Sequence, residues 1–287
     1  MTAHQPPERD HHSGYLTTGH TWNGIAELNA PVPRAVWWFF WVTHVVALLI
    51  VILLPAIPLW STYSKGLLGR DQYRSVDAAV EAAIQTRSVW TAQIAMLPYT
   101  AIQADPGLMQ IVRDTGATLF GTNCAACHGT QAMGGPGFPN LIDADWLWGY
   151  DPDTIAETLR VGINAAHPDS RIAQMPAFGH DELLNRAEVA TLVPYVAGLS
   201  VPGTVPDPAA ARLFADNCAA CHGEDAKGRQ DVGAPDLTDD VRLYGGDAAA
   251  LHATLWDGRQ GRMPAWETRL TETDRKILTL YVLDLGP

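Results

Sequence analysis

Two short stretches of the 287-residue sequence bring two thiols and an imidazole together: Cys124-Ala125-Ala126-Cys127-His128 and Cys218-Ala219-Ala220-Cys221-His222. Cysteines at this spacing, on the first turn of a helix, can each add to one vinyl group of a haem. The adjoining histidine then points its imidazole at the iron. Both stretches therefore read as attachment sites, giving two covalently bound c-type haems. The chain has four cysteines and none falls outside these pairs, so no disulfide framework is indicated. A redox dithiol belongs in a βαβ setting that the pattern lacks. A zinc site would have to draw ligands from motifs 94 residues apart.

An iron held by one histidine still needs a sixth ligand. Met175 and Met263 stand at matching places, 47 and 41 residues after His128 and His222, each followed by Pro-Ala and an aromatic residue. A lone methionine is most often core filler. Two at equivalent positions read as axial ligands, each for the motif upstream of it. Met133 lies too near His128 to cross a haem plane, and His167, His180 and His252 are the imidazole competitors. Bis-histidine ligation would lower the potential, whereas His/Met ligation raises it and closes the coordination sphere. A six-coordinate iron has no open position for substrate, so both sites are expected to pass electrons and do no bond chemistry. Pro139 and Pro235, eleven and thirteen residues after the motif histidines, either present a carbonyl to them or simply turn the chain.

Repeated elements must hold these residues. Residues 119–129 recur almost unchanged at 213–223, so the haem-bearing part is an internal duplication. Each copy closes with a helix signature: Asn185 and Glu188 ahead of Val189, Leu192, Val193 and Val196, and Thr271 and Asp274 ahead of Ile277, Leu278, Tyr281 and Val282. Pro194 falls inside the first of these helices and is expected to kink it. Residues 200–208, with Pro202, Gly203, Pro206 and Pro208, read as a short semi-rigid linker. Residues 71–113 read as helical, with a break at Asp105-Pro106-Gly107. No convincing run of alternating strand residues appears. The expected fold is all-α, one N-terminal transmembrane helix followed by two tandem cytochrome c domains. Its parts are an N-terminal cytoplasmic tail (1–35), the transmembrane helix (36–60), a helical connector (61–107) and the two domains (108–200 and 201–287).

Val36 to Leu54 is a run of 19 residues interrupted only by Thr43 and His44. As a helix it would be about 28 Å long, close to the ~30 Å hydrocarbon thickness of a bilayer. Trp37, Trp38 and Trp41 at one end and Trp60 at the other form an interfacial belt, and Pro55 and Pro58 end the helix. A buried core helix would show a polar face, and this run shows none. The run is too long for a cleaved signal peptide and no small-residue cleavage pattern follows, so it is expected to be retained. Lys65, Arg70 and Arg74 follow the helix while Arg34 precedes it, which taken alone puts the larger part in the cytoplasm. That rule weakens for long translocated domains, and haem attachment requires the opposite side. His44, the one ionisable group in the span, is expected to hydrogen-bond a neighbouring subunit's helix.

The composition, 47% hydrophobic with mean hydropathy −0.03, excludes disorder and a polytopic membrane protein. Net charge is −12, with 17 basic against 28 acidic residues from position 65 onward. Nucleic acid, which needs a basic face, is excluded as a partner. An acidic surface can steer basic proteins toward it.

Trp22-Asn23-Gly24-Ile25-Ala26-Glu27-Leu28-Asn29 and Pro31-Val32-Pro33-Arg34, running into the Trp-rich helix, resemble the N-terminal signature of a known family. It is the dihaem subunit of cbb3-type cytochrome c oxidases (subunit III, CcoP or FixP). Ser64-Lys65-Gly66-Leu67-Leu68-Gly69 is similar to that family's post-membrane segment, though Arg70 stands where an aromatic residue is usual, and Gln174-Met175-Pro176-Ala177-Phe178-Gly179 also matches. The resemblance implies a single-pass protein of the bacterial inner membrane with its haem domains in the periplasm. It would accept electrons from soluble or membrane cytochrome c donors and relay them to a monohaem cytochrome c subunit. Beyond that lies a haem-copper oxidase catalytic subunit, which reduces oxygen and pumps protons in aerobic respiration. The chain itself would be no enzyme, and membrane lipid would be its other partner.

Three rival readings remain. A free-standing, membrane-tethered dihaem cytochrome shuttling electrons between respiratory complexes shares both motifs, and only the N-terminal segment opposes it. A dihaem peroxidase would need one open haem, whereas both methionines are present. A redox or gas sensor would need an output domain, which is not expected here.

Overall fold

The computed structural model describes residues 6–286, which fall into two compact units divided between Thr86 and Arg87. The fold is mostly helical, with two small hairpins in the first unit. Strands β1 (Thr17–Trp22) and β2 (Ile25–Leu28) pair antiparallel across Asn23-Gly24. Both turn residues have positive φ, 51° and 85°, the two-residue turn whose twist matches the strands.

Helix α1 (Arg34–Leu53) has 20 residues, none buried, and is long and apolar enough to cross a membrane. It stops one residue before the end of the apolar run. Residues 54–60, expected to continue the span, lie outside the helix: the chain bends at Leu54-Pro55, because Pro55 and Pro58 cannot continue a helix. A tight hairpin of β3 (Pro58–Leu59) and β4 (Thr62–Tyr63) follows, turning at Trp60 with φ 57°. The N–H groups of Leu67 and Leu68 return to the carbonyls of Ile52 (2.9 Å) and Leu53 (3.0 Å), satisfying acceptors left open at the end of α1. Within α1, His44 Nδ1 donates to the Phe40 carbonyl at 2.8 Å, so part of its hydrogen bonding is met one turn away.

Helix α2 (Gln72–Met96) follows, with the Asp71 carboxylate accepting from the Tyr73 N–H at 2.9 Å. The connector breaks twice, at Leu97-Pro98 before α3 (Tyr99–Gln103) and again at Asp105. Asp105 caps α4 (Pro106–Asn123), which runs directly into the first motif helix, α5 (Ala125–His128). Then come α6 (Pro152–Val161), capped by Asp151, and α7 (Arg186–Gly198), which continues through Pro194. The second copy repeats the order: α8 (Pro208–Asn217), α9 (Ala219–His222), α10 (Ala248–Asp257) and α11 (Glu272–Leu285). Both expected capping boxes form, Asn185 with Glu188 and Thr271 with Asp274. Such a cap is worth about 1 kcal/mol.

The packing does not follow the sequence repeats. Phe120 of α4 and Ile155 and Leu159 of α6 share a core with Trp266 and with Leu278 and Val282 of α11. Phe214 of α8 and Leu251 and Leu255 of α10 share theirs with Phe178 and with Val189, Leu192 and Val196 of α7. Ring contacts tell the same story: Phe120 meets Tyr281 at 5.8 Å and Phe214 meets Tyr195 at 5.5 Å. Each closing helix has crossed to the other repeat. A third cluster seats Ile94, Ile102, Leu108 and Val112 against Ile277 and Leu280, so α11 is buried on two sides.

Candidate haem sites

Each motif begins where a long helix ends. Cys124 closes α4 with its N–H on the Phe120 carbonyl (2.8 Å), and Cys127 N–H reaches back to the Cys124 carbonyl (3.1 Å). Both thiols therefore lie on a single turn. Cys218 and Cys221 repeat the geometry with the same 2.8 Å and 3.1 Å bonds. None of the four cysteines is in a disulfide, and Cys127 and Cys221 are exposed. Burial first, and the neighbouring thiol second, push Cys124 and Cys218 up to about 11.

The two motif histidines are half-buried and identically tethered. His128 Nδ1 donates to the Pro139 carbonyl and His222 Nδ1 to the Pro235 carbonyl, each at 3.0 Å. The prolines thus present carbonyls as well as turning the chain. A proton fixed on Nδ1 leaves Nε2 as the free lone pair, the arrangement that orients a metal-binding imidazole. Burial lowers both histidines' pKa, opposed in part by the proline carbonyl, and so favours the neutral, ligating form. Among the described residues no group of three or more His, Cys, Asp or Glu gathers to hold a bare metal ion. Two thiols on one turn, with a free imidazole Nε2 beside them, suit a porphyrin iron.

The two methionines pack across the repeats, each beside the motif of the other copy. Met263 packs into the core that contains Phe120, Cys124 and Ala125, whereas Met175 packs with Phe214, Cys218 and Ala219. Two short antiparallel bridges fix this. Ile163 and Met263 exchange N–H···O bonds of 2.9 Å, and Met175 and Arg259 exchange bonds of 2.8 and 3.1 Å. Gly162 and Gly258, which end α6 and α10 at φ 70° and 68°, let the two strands touch. A Cβ on Gly162 would lie 2.5 Å from the Met263 carbonyl oxygen, and one on Gly258 as close to that of Met175. Asn164, at φ 47°, clamps the crossing segments by donating Nδ2 to the carbonyls of Gly261 (2.6 Å) and Ala173 (2.8 Å). Nothing in the sequence pattern flagged Asn164, whose only signal is its tolerance of positive φ.

The other candidate ligands are engaged or turned outward. His167 Nε2 lies 2.8 Å from the Glu267 carboxylate, and Glu267 is in turn held by Arg160 at 3.1 Å. His180 is exposed beside Asp181, His252 stacks on Trp256 at 5.7 Å from the surface, and Met133 is 56% exposed.

Comparison with known proteins identifies the domains that carry these motifs. Residues 14–61 match the model of the N-terminal domain of cytochrome oxidase-cbb3, FixP. Residues 114–200 match cytochrome c, and 206–282 match cytochrome c oxidase, cbb3-type, subunit III. The chain is thus two tandem cytochrome c domains by sequence, which implies c-type haem. It is 47% identical to the cbb3-type cytochrome c oxidase subunit FixP of Bradyrhizobium sp. (strain ORS 278), over 97% of each chain. It is 45% identical to subunit CcoP of Cereibacter sphaeroides over 94% of each. With subunit CcoP of Azospirillum brasilense it shares 40%, over 97% of this chain and 98% of that one.

Proposed function

This chain belongs to the FixP/CcoP family of cbb3-type cytochrome c oxidase subunits, and from that premise we propose that it is the complex's two-haem electron relay. Cys124 and Cys127 attach one haem, Cys218 and Cys221 the other. His128 and Met263 would hold the first haem iron, and His222 and Met175 the second. The observation that carries this reading is the doubled tether of His128 and His222 to proline carbonyls, combined with the crossed seating of the two methionines.

A haem iron with His/Met ligation supplies reversible one-electron transfer. The chain's residues do the rest. Nδ1–H···O=C bonds hold each imidazole in one tautomer, so the ligand set does not change with the electron. The apolar cores around Phe120, Trp266, Phe214 and Phe178 would keep water from a haem held there. With a methionine as well as a histidine to hold each iron, neither site would leave a position for substrate, and the chain would have no catalytic centre of its own.

Helix α1 anchors the chain in the membrane, and the haem domains lie on the periplasmic side of the bacterial inner membrane. There they take electrons from soluble or membrane cytochromes c and pass them, through a monohaem subunit, to the haem-copper catalytic subunit. The test is purification of the tagged chain in mild detergent with difference spectra, copper assay and oxygen consumption. Haem b, copper and oxidase activity travelling with two haems c per chain are expected. A lone chain with haem c alone, under conditions that keep oxidases intact, would replace this reading with that of a tethered carrier.

A further inference from the structure

Two arginines beside the candidate haem sites are held in an unusual way. Arg171 Nε donates to the Thr158 hydroxyl at 3.0 Å, and its guanidinium lies over the Trp148 ring at 4.8 Å. Arg259 Nε donates to the Thr254 hydroxyl at 3.1 Å, and its guanidinium lies over the Tyr244 ring at 4.7 Å. Thr254 and Tyr244 follow Thr158 and Trp148 by 96 residues, the offset between α6 and α10, so they are true repeat counterparts. The arginines are 88 residues apart, the offset between Met175 and Met263, and each stands four residues before its methionine, so they too are repeat counterparts. The stretch between the end of the helix and the arginine is eight residues longer in the first copy. Threonine, aromatic ring and guanidinium nevertheless meet in both copies, so the arrangement is kept despite that difference in length.

Both arginines lie next to a ligand strand. Arg259 pairs directly with Met175, and Arg171 pairs with the Gly162–Ile163 strand that holds Met263. Both are half-buried. In a region where acidic residues outnumber basic ones 28 to 17, neither has a carboxylate within 4.0 Å among the described residues. Among the described residues, Arg171 spends Nη2 on the Thr154 carbonyl at 3.3 Å and leaves Nη1 open, and Arg259 leaves both Nη groups open.

A half-buried cation with no carboxylate in contact is costly unless an anion is due to arrive; Glu157, whose carboxyl feels Arg171 at longer range, is itself in contact with Arg160. The porphyrin brings two carboxylates, and a guanidinium fixed by a hydroxyl and an aromatic face is a preformed two-pronged receptor for one. Resting on the two-haem reading above, we propose that Arg171 and Arg259 are positioning residues that bind haem propionates. Arg171 serves the haem of the first motif and Arg259 that of the second.

The test uses the intact, detergent-solubilised chain in its complex. Arg171→Gln and Arg259→Gln are compared with the charge-keeping Arg171→Lys and Arg259→Lys by spectroelectrochemical titration, with covalent haem counted by pyridine haemochrome. Losing the cation should favour the ferric form of one haem about tenfold, which is 59 mV for a one-electron couple. The two glutamine variants should move different components, and lysine should restore most of each shift. Potentials that stay put in the glutamine variants while two haems per chain remain would overturn the proposal, since a merely structural arginine alters stability only. If a glutamine variant fails to assemble, its lysine counterpart decides. A component within threefold of the parent's ferric–ferrous ratio supports a charge role, and a full tenfold shift despite the retained charge refutes it. Fewer than two haems per chain in the unsubstituted protein would instead sink the two-haem reading itself.

Discussion

Replacing Gly116 tests the crossed architecture directly. Gly116 is buried in α4, and a Cβ there would lie 2.6 Å from both Cβ and Cγ of Tyr281 on α11. Tyr281 Cβ is fixed to its backbone, so no rotamer change relieves the contact and the helices must part. Overpacking of this kind costs about 1–3 kcal/mol, while alanine gains roughly 1 kcal/mol over glycine in a helix. Gly116→Ala should therefore cost up to about 2 kcal/mol in the parent. In a Tyr281→Gly background the obstacle is gone, and the same change should stabilise by about 1 kcal/mol. The sign reverses, a coupling of roughly 1–3 kcal/mol. In a Tyr195→Gly background it should not reverse. Guanidinium midpoints at unchanged slope, followed by far-ultraviolet circular dichroism, give the four free energies. Coupling to Tyr195 with none to Tyr281, beyond about 0.5 kcal/mol, would mean that α4 packs on α7 and that each repeat closes on itself.

Three further outcomes follow from the same structure. With Cys218 and Cys221 replaced by serine, only the first motif can carry haem; Met263→Ala should then make that haem bind carbon monoxide stoichiometrically, and Met175→Ala should not, the reverse result favouring uncrossed ligation. Asn164→Ala strips bonds from two half-buried carbonyls and puts a β-carbon at φ 47° without the amide's compensation, so it should lower stability by about 1–3 kcal/mol; a loss under half of the lower figure in the denaturation midpoint would show that the clamp is dispensable. Arg113 holds Asp284 bidentately at 2.7 and 2.9 Å and keeps its carboxyl below the ordinary carboxylate range. Stability from that lowered pKa is present above the unfolded value of about 3.9 and lost as pH falls through the folded one. Asp284→Asn should therefore cost ~0.2–1 kcal/mol at neutral pH and nothing in strong acid, and a cost that persists there would point to packing instead.

What was legible in the sequence is what depends on neighbours along the chain. The attachment motifs, the proline carbonyls behind His128 and His222, both capping boxes and the apolar helix all rest on residues within about a dozen positions of one another. Two local signals went unread. Asn23-Gly24 marks the first hairpin, and Pro98 marks a helix break. The ligand pairing was of another kind. Two copies of one repeat present the same periodicity to either partner, so Val189 to Val196 and Ile277 to Val282 suit either core equally well. Pattern determines that a helix buries a face, and it leaves open against which copy.

Exchange of a like element between repeats forfeits few contacts, which is why it is an accessible arrangement. What it changes is sequence separation. His222 and Met175 are 47 residues apart, whereas His128 and Met263 are 135 apart. Loop closure entropy rises only slowly with length, so the first site is not much weakened by its long loop. Its formation is delayed, however, because non-local contacts must wait for the chain that carries them. The second motif finds its closing helix, α7, already made when α8 appears, and the first waits for α11. Completion of the core around the first motif therefore depends on the whole of residues 106–285, and neither repeat closes its core alone. The physical unit that holds the two candidate haems is the pair, joined by the strands at Ile163–Met263 and Met175–Arg259.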